Sequence, residues 1–318
     1  MAYPPRVFTI ILNYRDTDDT LRCVSSLRES SYRWQSVVVI DNGSDSESAT
    51  ALVDGLPATT LILSADNLGY AGGNNLGIRH ALNRGADYVW ILNPDTEVQP
   101  ETLERMVQTM TRYPEIGIAG ARVLNGRNGG QTIWFNGGRI DWSTGARTSH
   151  MDSGQRDSEV PGDRIHDVDY VTGASMLVRR EVFDDVGLLP ERYFLYFEET
   201  DFNVRAHRRG WRLVVDPRAR LLHYQRSWGS VPGPQYIYYI TRNQLLFAST
   251  FSSLPLEITQ EHFQRPIEQW RQKIARANAS WVPAYDRLIG SAVEDGRAGK
   301  DGRRSDLVGA TWDSLSHD

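Results

Sequence analysis

Up to residue 113 the chain alternates short apolar runs with segments of helical spacing, and few architectures satisfy that alternation. "RVFTIILN" (6–13), "SVVVID" (36–41), "TTLILSA" (59–65) and "YVWIL" (88–92) read as strands. "DTDDTLRCVSSLRES" (16–30) places Leu21, Val24 and Leu27 at helical spacing, and a second helix is predicted near 46–55. "GGNNLGIRHALNRG" (72–85) reads as a third, and "PETLERMVQTMTRY" (100–113) opens on a proline suited to a first helical turn. Continuous apolar strands joined by amphipathic helices imply a mainly parallel sheet covered on both faces. The expected fold is therefore a doubly wound α/β domain, whose ligands sit beyond the carboxyl ends of the strands.

After residue 115 the pattern changes. "IGIAGARVL" (116–124) is another strand, "NGRNGGQTIWFNGGRIDW" (125–142) reads as a hairpin, and the polar, glycine-punctuated stretch 143–168 reads as a mobile excursion. A strand at 169–180, a helix in "REVFDDVGLL" and a helix over 196–211 follow. "RLVVDP" and "ARLLHY" then read as two short strands ending near 224. Beyond the Gly/Pro-rich "SWGSVPGP" (227–234) the pattern is helical. We expect one domain over 1–233 and a helical C-terminal region over 234–318.

A net charge of -5 argues against nucleic acid as the main partner. The single cysteine, Cys23, cannot form an internal disulfide, suits a reducing compartment, and reads as a small apolar helix residue. The N-terminal segment lacks a secretory layout, and no stretch approaches the roughly 18–20 apolar residues of a membrane span. A cytoplasmic location is expected.

The strand ends carry the polar groups. Strand one ends at Asn13-Tyr14, strand two runs into "DNGSDS" from Asp41, and strand three leads into "DNLGYAGGNNLGI" (66–78), with Asn67, Gly73 and Asn75. Each has a plain reading as a turn or helix cap; together they gather hydrogen-bonding groups along one sheet edge, as a nucleotide requires. The glycines do not follow G-x-G-x-x-G, and no P-loop is present, which weakens the dehydrogenase and P-loop readings. Strand four ends at Asn93-Pro94-Asp95, where a carboxylate could hold Mg²⁺ or Mn²⁺ against a diphosphate. "YFLYFEETDFNVRAHRRGW" (193–211) clusters Glu198, Glu199 and Asp201 at a helix start after an aromatic run. Capping and an i,i+4 pair of Asp201 with Arg205 account for part of this cluster. A carboxylate against an apolar wall can also become a general base. His223, with Arg226 just beyond, stands at a later strand end and could complete a metal site with Asp95.

The ordered series "LNYRDTDDTLRCVSSL", "VVVIDNGSDS", "NLGYAGGNNLGI", "WILNPDTEV", "VTGASMLVRREVFDDVGLLPERYFLYFEETDFNVRAHRRGW" and "LLHY" resembles the family 2 inverting glycosyltransferases, in the style of their rhamnosyltransferase-like group. The resemblance implies a GT-A fold, a nucleotide-diphosphate sugar donor and Mn²⁺ or Mg²⁺. It also implies nucleotide-site roles for Asn13, Asp41, Asn67, Gly73 and Asn75, and places the family's D-x-D metal motif on Asn93-Pro94-Asp95. With Asn in the first place, Asp95 carries the metal or diphosphate contact, and His223 matches a metal ligand. The acidic pair falls on Glu198-Glu199, with Glu199 as the base. Gly173 matches a segment near sugar and acceptor, and Arg242 in "YYITRN" is expected to face the donor. dTDP-rhamnose is the first donor implied and UDP sugars the next; the acceptor is a saccharide, a lipid-linked saccharide or a natural product. A peripheral membrane contact through the basic segment 264–281 and a homodimer are the further associations to test. A sugar nucleotidyltransferase, or a non-catalytic nucleotide-sugar-binding protein, is the alternative.

Overall fold

The computed structural model describes residues 3–225 and 231–315. In chain order its elements are β1 (Val7–Asn13), α1 (Thr17–Arg28), β2 (Gln35–Asn42), α2 (Ser46–Gly55), β3 (Thr60–Ser64), α3 (Gly69–Asn83), β4 (Tyr88–Leu92), β5 (Thr96–Val98), α4 (Thr102–Arg112) and β6 (Ile116–Asn125). There follow β7 (Ile133–Phe135), β8 (Gly138–Asp141), β9 (Arg147–His150), β10 (His166–Asp167), β11 (Ser175–Arg179), α5 (Arg180–Val186), α6 (Glu198–Arg208) and β12 (Arg212–His223). Four helices close the chain: α7 (Pro234–Phe251), α8 (Leu256–Ala277), α9 (Val282–Arg297) and α10 (Ser305–Leu315).

The main sheet runs β10-β12-β6-β11-β4-β1-β2-β3, with β5 on β12 and β7 on β6. Strands β3, β2, β1 and β4 are mutually parallel, as the unbroken apolar runs require, and every residue of β4 is buried. β11 enters antiparallel between β4 and β6, with Ser175 opposite Leu92. Its start therefore lies at the edge where β4 ends, and that reversal brings Gly173 to the carboxyl edge of the parallel strands. At the same edge Asn13 pairs with Asp41, and His223 of β12 pairs with Thr96 and Asn125.

Three expectations need correction. Residues 125–142 are not one hairpin: β7 pairs back onto β6, whereas β8 pairs with β9. The excursion over 143–168 is tied down instead of loose. Arg122, fully buried on β6, gives its guanidinium to Asn136 (3.1 Å), Asp157 (2.9 Å) and the carbonyls of Val160 and Pro161. Asn136 in turn donates to Asp152 at 2.7 Å. The third correction concerns the two short strands ending near 224, which are a single strand, β12, with a register shift between Asp216 and Arg220. Pro217 falls within it, and a residue with no N–H to give a ladder belongs at a bulge.

Contacts divide the chain into two units: Met1–Arg139, Ser149–Pro190 and Glu199–Gln225 form one, and Ile140–Thr148, Glu191–Glu198 and Arg226–Asp318 the other. The first holds the sheet. The second has its own core, in which Ile237, Tyr238 and Tyr239 of α7 pack with Tyr285, Leu288, Ile289 and Ala292 of α9 and with Phe194. Among the described residues no helix is long and apolar enough to cross a membrane.

Candidate active site

At the end of β1, Asn13 uses its whole amide. It donates to Asp41 (2.8 Å) and the Ser44 hydroxyl (3.2 Å), and accepts from the Asp16 N–H and the Thr20 hydroxyl. It orients Asp41, whose side chain has no other hydrogen-bond partner among the described residues. Tyr14 is exposed beside it, with the Arg15 guanidinium 5.3 Å from its ring centre. Asn42 donates to Asn67 and to the Gly69 carbonyl and accepts from the Leu68 N–H. Asn67 also accepts from the Gly69 N–H at 2.9 Å, an Asx turn that leads into α3.

Two residues of α3 expected at the nucleotide site, Gly73 and Asn75, have partners within the fold. A Cβ on Gly73 would lie 2.4 Å from Leu12 Cδ1, and one on Gly77 would lie 2.5 Å from Ile10 Cγ2. Glycines four residues apart share one helix face, and these two let α3 press against β1. Asn75 is buried, donating to the Leu189 carbonyl (2.9 Å) and accepting the Leu189 N–H (3.1 Å). It staples the segment before residue 190 to α3.

The end of β4 meets Gly173 through Tyr70, an aromatic residue of the glycine-rich stretch to which sequence alone gives no role. The Tyr70 hydroxyl lies 2.8 Å from the Gly173 carbonyl and 3.1 Å from Asn93 Oδ1. A phenol has one proton. Given to the nearer carbonyl, it leaves the oxygen as an acceptor, which suits an Asn93 amide turned with its NH₂ toward the ring. The backbone N–H of Gly173 continues this chain to the carboxylate of Glu199.

Glu199 is the perturbed acid of the set. Burial raises its pKa, and hydrogen bonds from the backbone N–H groups of Glu199, Gly173 and Thr200 oppose that shift only in part. Its Oε2 is shut away from solvent without a hydrogen-bond partner among the described residues. Glu198, the first residue of α6, is buried. Asp201, named as a catalytic candidate, instead pairs with Arg205 at 2.6 Å, and Arg205 also donates to the carbonyls of Val186 and Leu188. Asp201 thus ties α6 to the chain before it.

His223 Nε2 lies 3.0 Å from Asp95 Oδ1. The imidazole is buried, its ring centre is 4.5 Å from that of Trp134 at 75°, and the Trp134 indole N–H donates to Gln225. His223 Nδ1 is buried and has no partner among the described residues. A carboxylate oxygen and an imidazole nitrogen converging at this distance fit one corner of a Mn²⁺ or Mg²⁺ shell. No group of three or more His, Cys, Asp or Glu among the described residues could hold a metal alone. Any ion there would take its remaining ligands from a diphosphate and water.

Arg226 lies outside the described residues. Arg242, expected to face the donor, is fully buried in the helical unit and donates to the carbonyls of Tyr193 and Gly302. Cys23 is a core residue, as its place on an apolar helix face implied, with burial pushing its thiol up to about 12.

A sheet of this topology, with its polar groups gathered beyond the parallel strand ends, is the GT-A type of glycosyltransferase fold. The model of the Glycosyl transferase family 2 matches residues 8–187, and the chain belongs to that family. It is 27% identical over 231 residues to an N-acetylglucosaminyl-diphospho-decaprenol L-rhamnosyltransferase of Mycobacterium tuberculosis, covering 64% of this chain and 71% of that one. It is 32% identical over 202 residues to the low-salt glycan biosynthesis hexosyltransferase Agl10 of Haloferax volcanii, covering 63% and 61%. Among solved structures, the mannosyltransferase PcManGT of Pyrobaculum calidifontis, in complex with GDP-Man and Mn²⁺, matches with a TM-score of 0.57 at 16% identity over 100% of this chain and 82% of that one. GalNAc-T7 with UDP, GalNAc and Mn²⁺ matches with a TM-score of 0.63 at 15% identity, over 100% and 58%. The protein is a glycosyltransferase.

Proposed function

We propose that the protein transfers a sugar, L-rhamnose from dTDP-rhamnose in the first instance, to a hydroxyl of a saccharide, a lipid-linked saccharide or a natural product, with inversion at the anomeric carbon. One observation carries the reading. A half-buried glutamate of raised pKa, one carboxylate oxygen shut away from solvent, is hydrogen-bonded to the Gly173 backbone, and through Tyr70 that glycine is joined to the strand end that carries Asp95. The named activities of the relatives support a nucleotide-sugar donor.

In this reading Glu199 accepts the proton of the acceptor hydroxyl as that oxygen bonds to the anomeric carbon. The bond to the diphosphate oxygen breaks, and its electron pair leaves with the nucleoside diphosphate. Asp41 meets the nucleoside side of the donor, and Asp95 with His223 would hold a divalent cation. When bound, that cation offsets the charge developing on the diphosphate. A single displacement has one stereochemical outcome, inversion. The exposed Arg265, Lys273 and Arg276 of α8 are where we place a peripheral membrane contact.

A thermal-shift screen of nucleotide sugars with Mn²⁺ tests the donor assignment: dTDP-rhamnose should give the largest stabilisation, UDP sugars the next, and no shift with any donor would refute the reading. Asp95→Ala should abolish the Mn²⁺-dependent part of dTDP affinity. Calorimetry with and without Mn²⁺ measures this, and an unchanged Mn²⁺ dependence would remove Asp95 from the cation site.

A further inference from the structure

The five residues before the acidic pair, Tyr193 to Phe197, hold an improbable backbone. Phe194, Tyr196 and Phe197 have φ of 64°, 68° and 75°. The left-handed region is uncommon for any non-glycine residue and a genuine outlier for bulky ones. Three aromatic residues there within four positions must be held by their surroundings.

The holding group is on α7. The side-chain amide of Asn243 donates to the carbonyls of Tyr193 (3.0 Å), Leu195 (2.7 Å) and Tyr196 (2.9 Å). Its two hydrogens are shared among three acceptors that only the coiled backbone brings together. Asn243 Oδ1 in turn accepts from Arg242 Nε at 2.9 Å, which fixes which way the amide faces. Arg242 also donates to the Tyr193 carbonyl (2.8 Å), and its guanidinium lies 5.4 Å and 4.9 Å from the ring centres of Tyr238 and Tyr239. Both residues are fully buried. Aromatic contacts of Phe194 with Tyr239, Tyr196 with Tyr236 and Phe197 with Phe247 seat the side chains of the same loop.

We infer that Arg242 and Asn243 are positioning residues for the transfer: they clamp the Tyr193–Phe197 loop in its left-handed form, and that loop sets where α6 begins and so where its second residue, Glu199, presents its carboxylate. A loop of L-aromatic residues released from these bonds relaxes toward negative φ. The start of α6 would then swing by more than the tolerance of a proton transfer. The inference rests on Glu199 being the base.

Asn243→Ala is the test, with Glu199→Gln measured beside it. A displacement of about 1 Å at a reacting group costs about 10²-fold in rate. The Asn243→Ala protein should therefore lose 10- to 100-fold in kcat, while its donor KM and its calorimetric affinity for dTDP with Mn²⁺ stay at wild-type values. A structural role alone would lower the melting temperature and leave kcat of the folded protein unchanged, which would overturn the proposal. If the alanine variant does not fold, Arg242→Lys carries the same test: it keeps a buried cation but cannot both reach Tyr193 and align the amide. It should lose about tenfold in kcat, and wild-type kcat would again overturn the clamp. An inactive Glu199→Gln beside a fully active Asn243→Ala overturns the clamp alone; an active Glu199→Gln overturns the base assignment and the clamp with it.

Discussion

Glu199→Gln should retain dTDP binding and lose transfer by about 10³-fold or more, the scale of removing a general base from a pre-organised site. The same substitution should raise stability at neutral pH. Burial raises the pKa of Glu199 in the folded protein, so the folded state binds its proton more tightly than the unfolded state does. The associated stability is fully present below the unfolded value and is lost as pH rises through the folded one, where a charged carboxylate must be kept buried. Glutamine carries no such cost. Denaturant titration should therefore find the variant more stable than wild type near pH 7, with the difference vanishing in acid. The wild-type rate should fall as pH drops through the raised pKa, because only the ionised form accepts the proton. A variant that is inactive but no more stable at neutral pH would mean that Glu199 is not held in the buried state that makes it a useful base.

Arg122→Ala should destabilise the sheet unit by about 3–5 kcal/mol, the range for removing one partner of a buried, hydrogen-bonded ion pair. Its guanidinium is fully buried and satisfies Asn136, Asp157 and two carbonyls of the excursion between β9 and β10. Without it the buried Asn136 amide oxygen loses its donor, and Asp157 and the two carbonyls lose theirs from Arg122. Arg220, 3.0 Å from Asp157, holds only one of them. Limited proteolysis should then cut between residues 150 and 166 in the variant and not in wild type. Arg122→Met keeps most of the volume and supplies no donors, so it should be nearly as unstable as the alanine variant. Wild-type stability of the methionine variant would show that Arg122 acts by filling space.

How far the chain could be read in advance differed from place to place, for physical reasons. β4 was bounded at Tyr88 and Leu92 because an unbroken apolar run ending at Asn-Pro-Asp leaves no other boundary. The helix expected near 46–55 is α2, and of the two cap candidates, Ser44 and Asp45, Asp45 caps it, accepting from the Ser48 N–H. The stretch over 143–168 looked mobile because its anchor, Arg122, lies on a strand more than twenty residues earlier, and a lone arginine in an apolar strand does not say what it reaches. The resemblance implies nucleotide roles for Gly73 and Asn75, and small and polar groups at a helix start serve packing or binding equally well. Only the tertiary fold shows the partners they have in it, Leu12 and Leu189. Tyr70 offered one weak signal, an aromatic with a polar tip among the glycines that open α3.

The sequence by itself determined the α/β alternation, the edge of the sheet where chemistry would gather, and the carboxylates and histidine present there, because hydrophobic period and residue type are local properties. Tertiary structure decided which of those groups are spent on the fold. Asp201 goes to Arg205, Asn75 to Leu189, and Arg242 to the carbonyls of a strained aromatic loop, whereas Asp95 meets His223 and Glu199 lies against the Gly173 backbone. Those assignments depend on distances between residues far apart in the chain and on how completely water is excluded around each charge. Neither quantity is carried by a residue's identity or by its place in a periodic pattern.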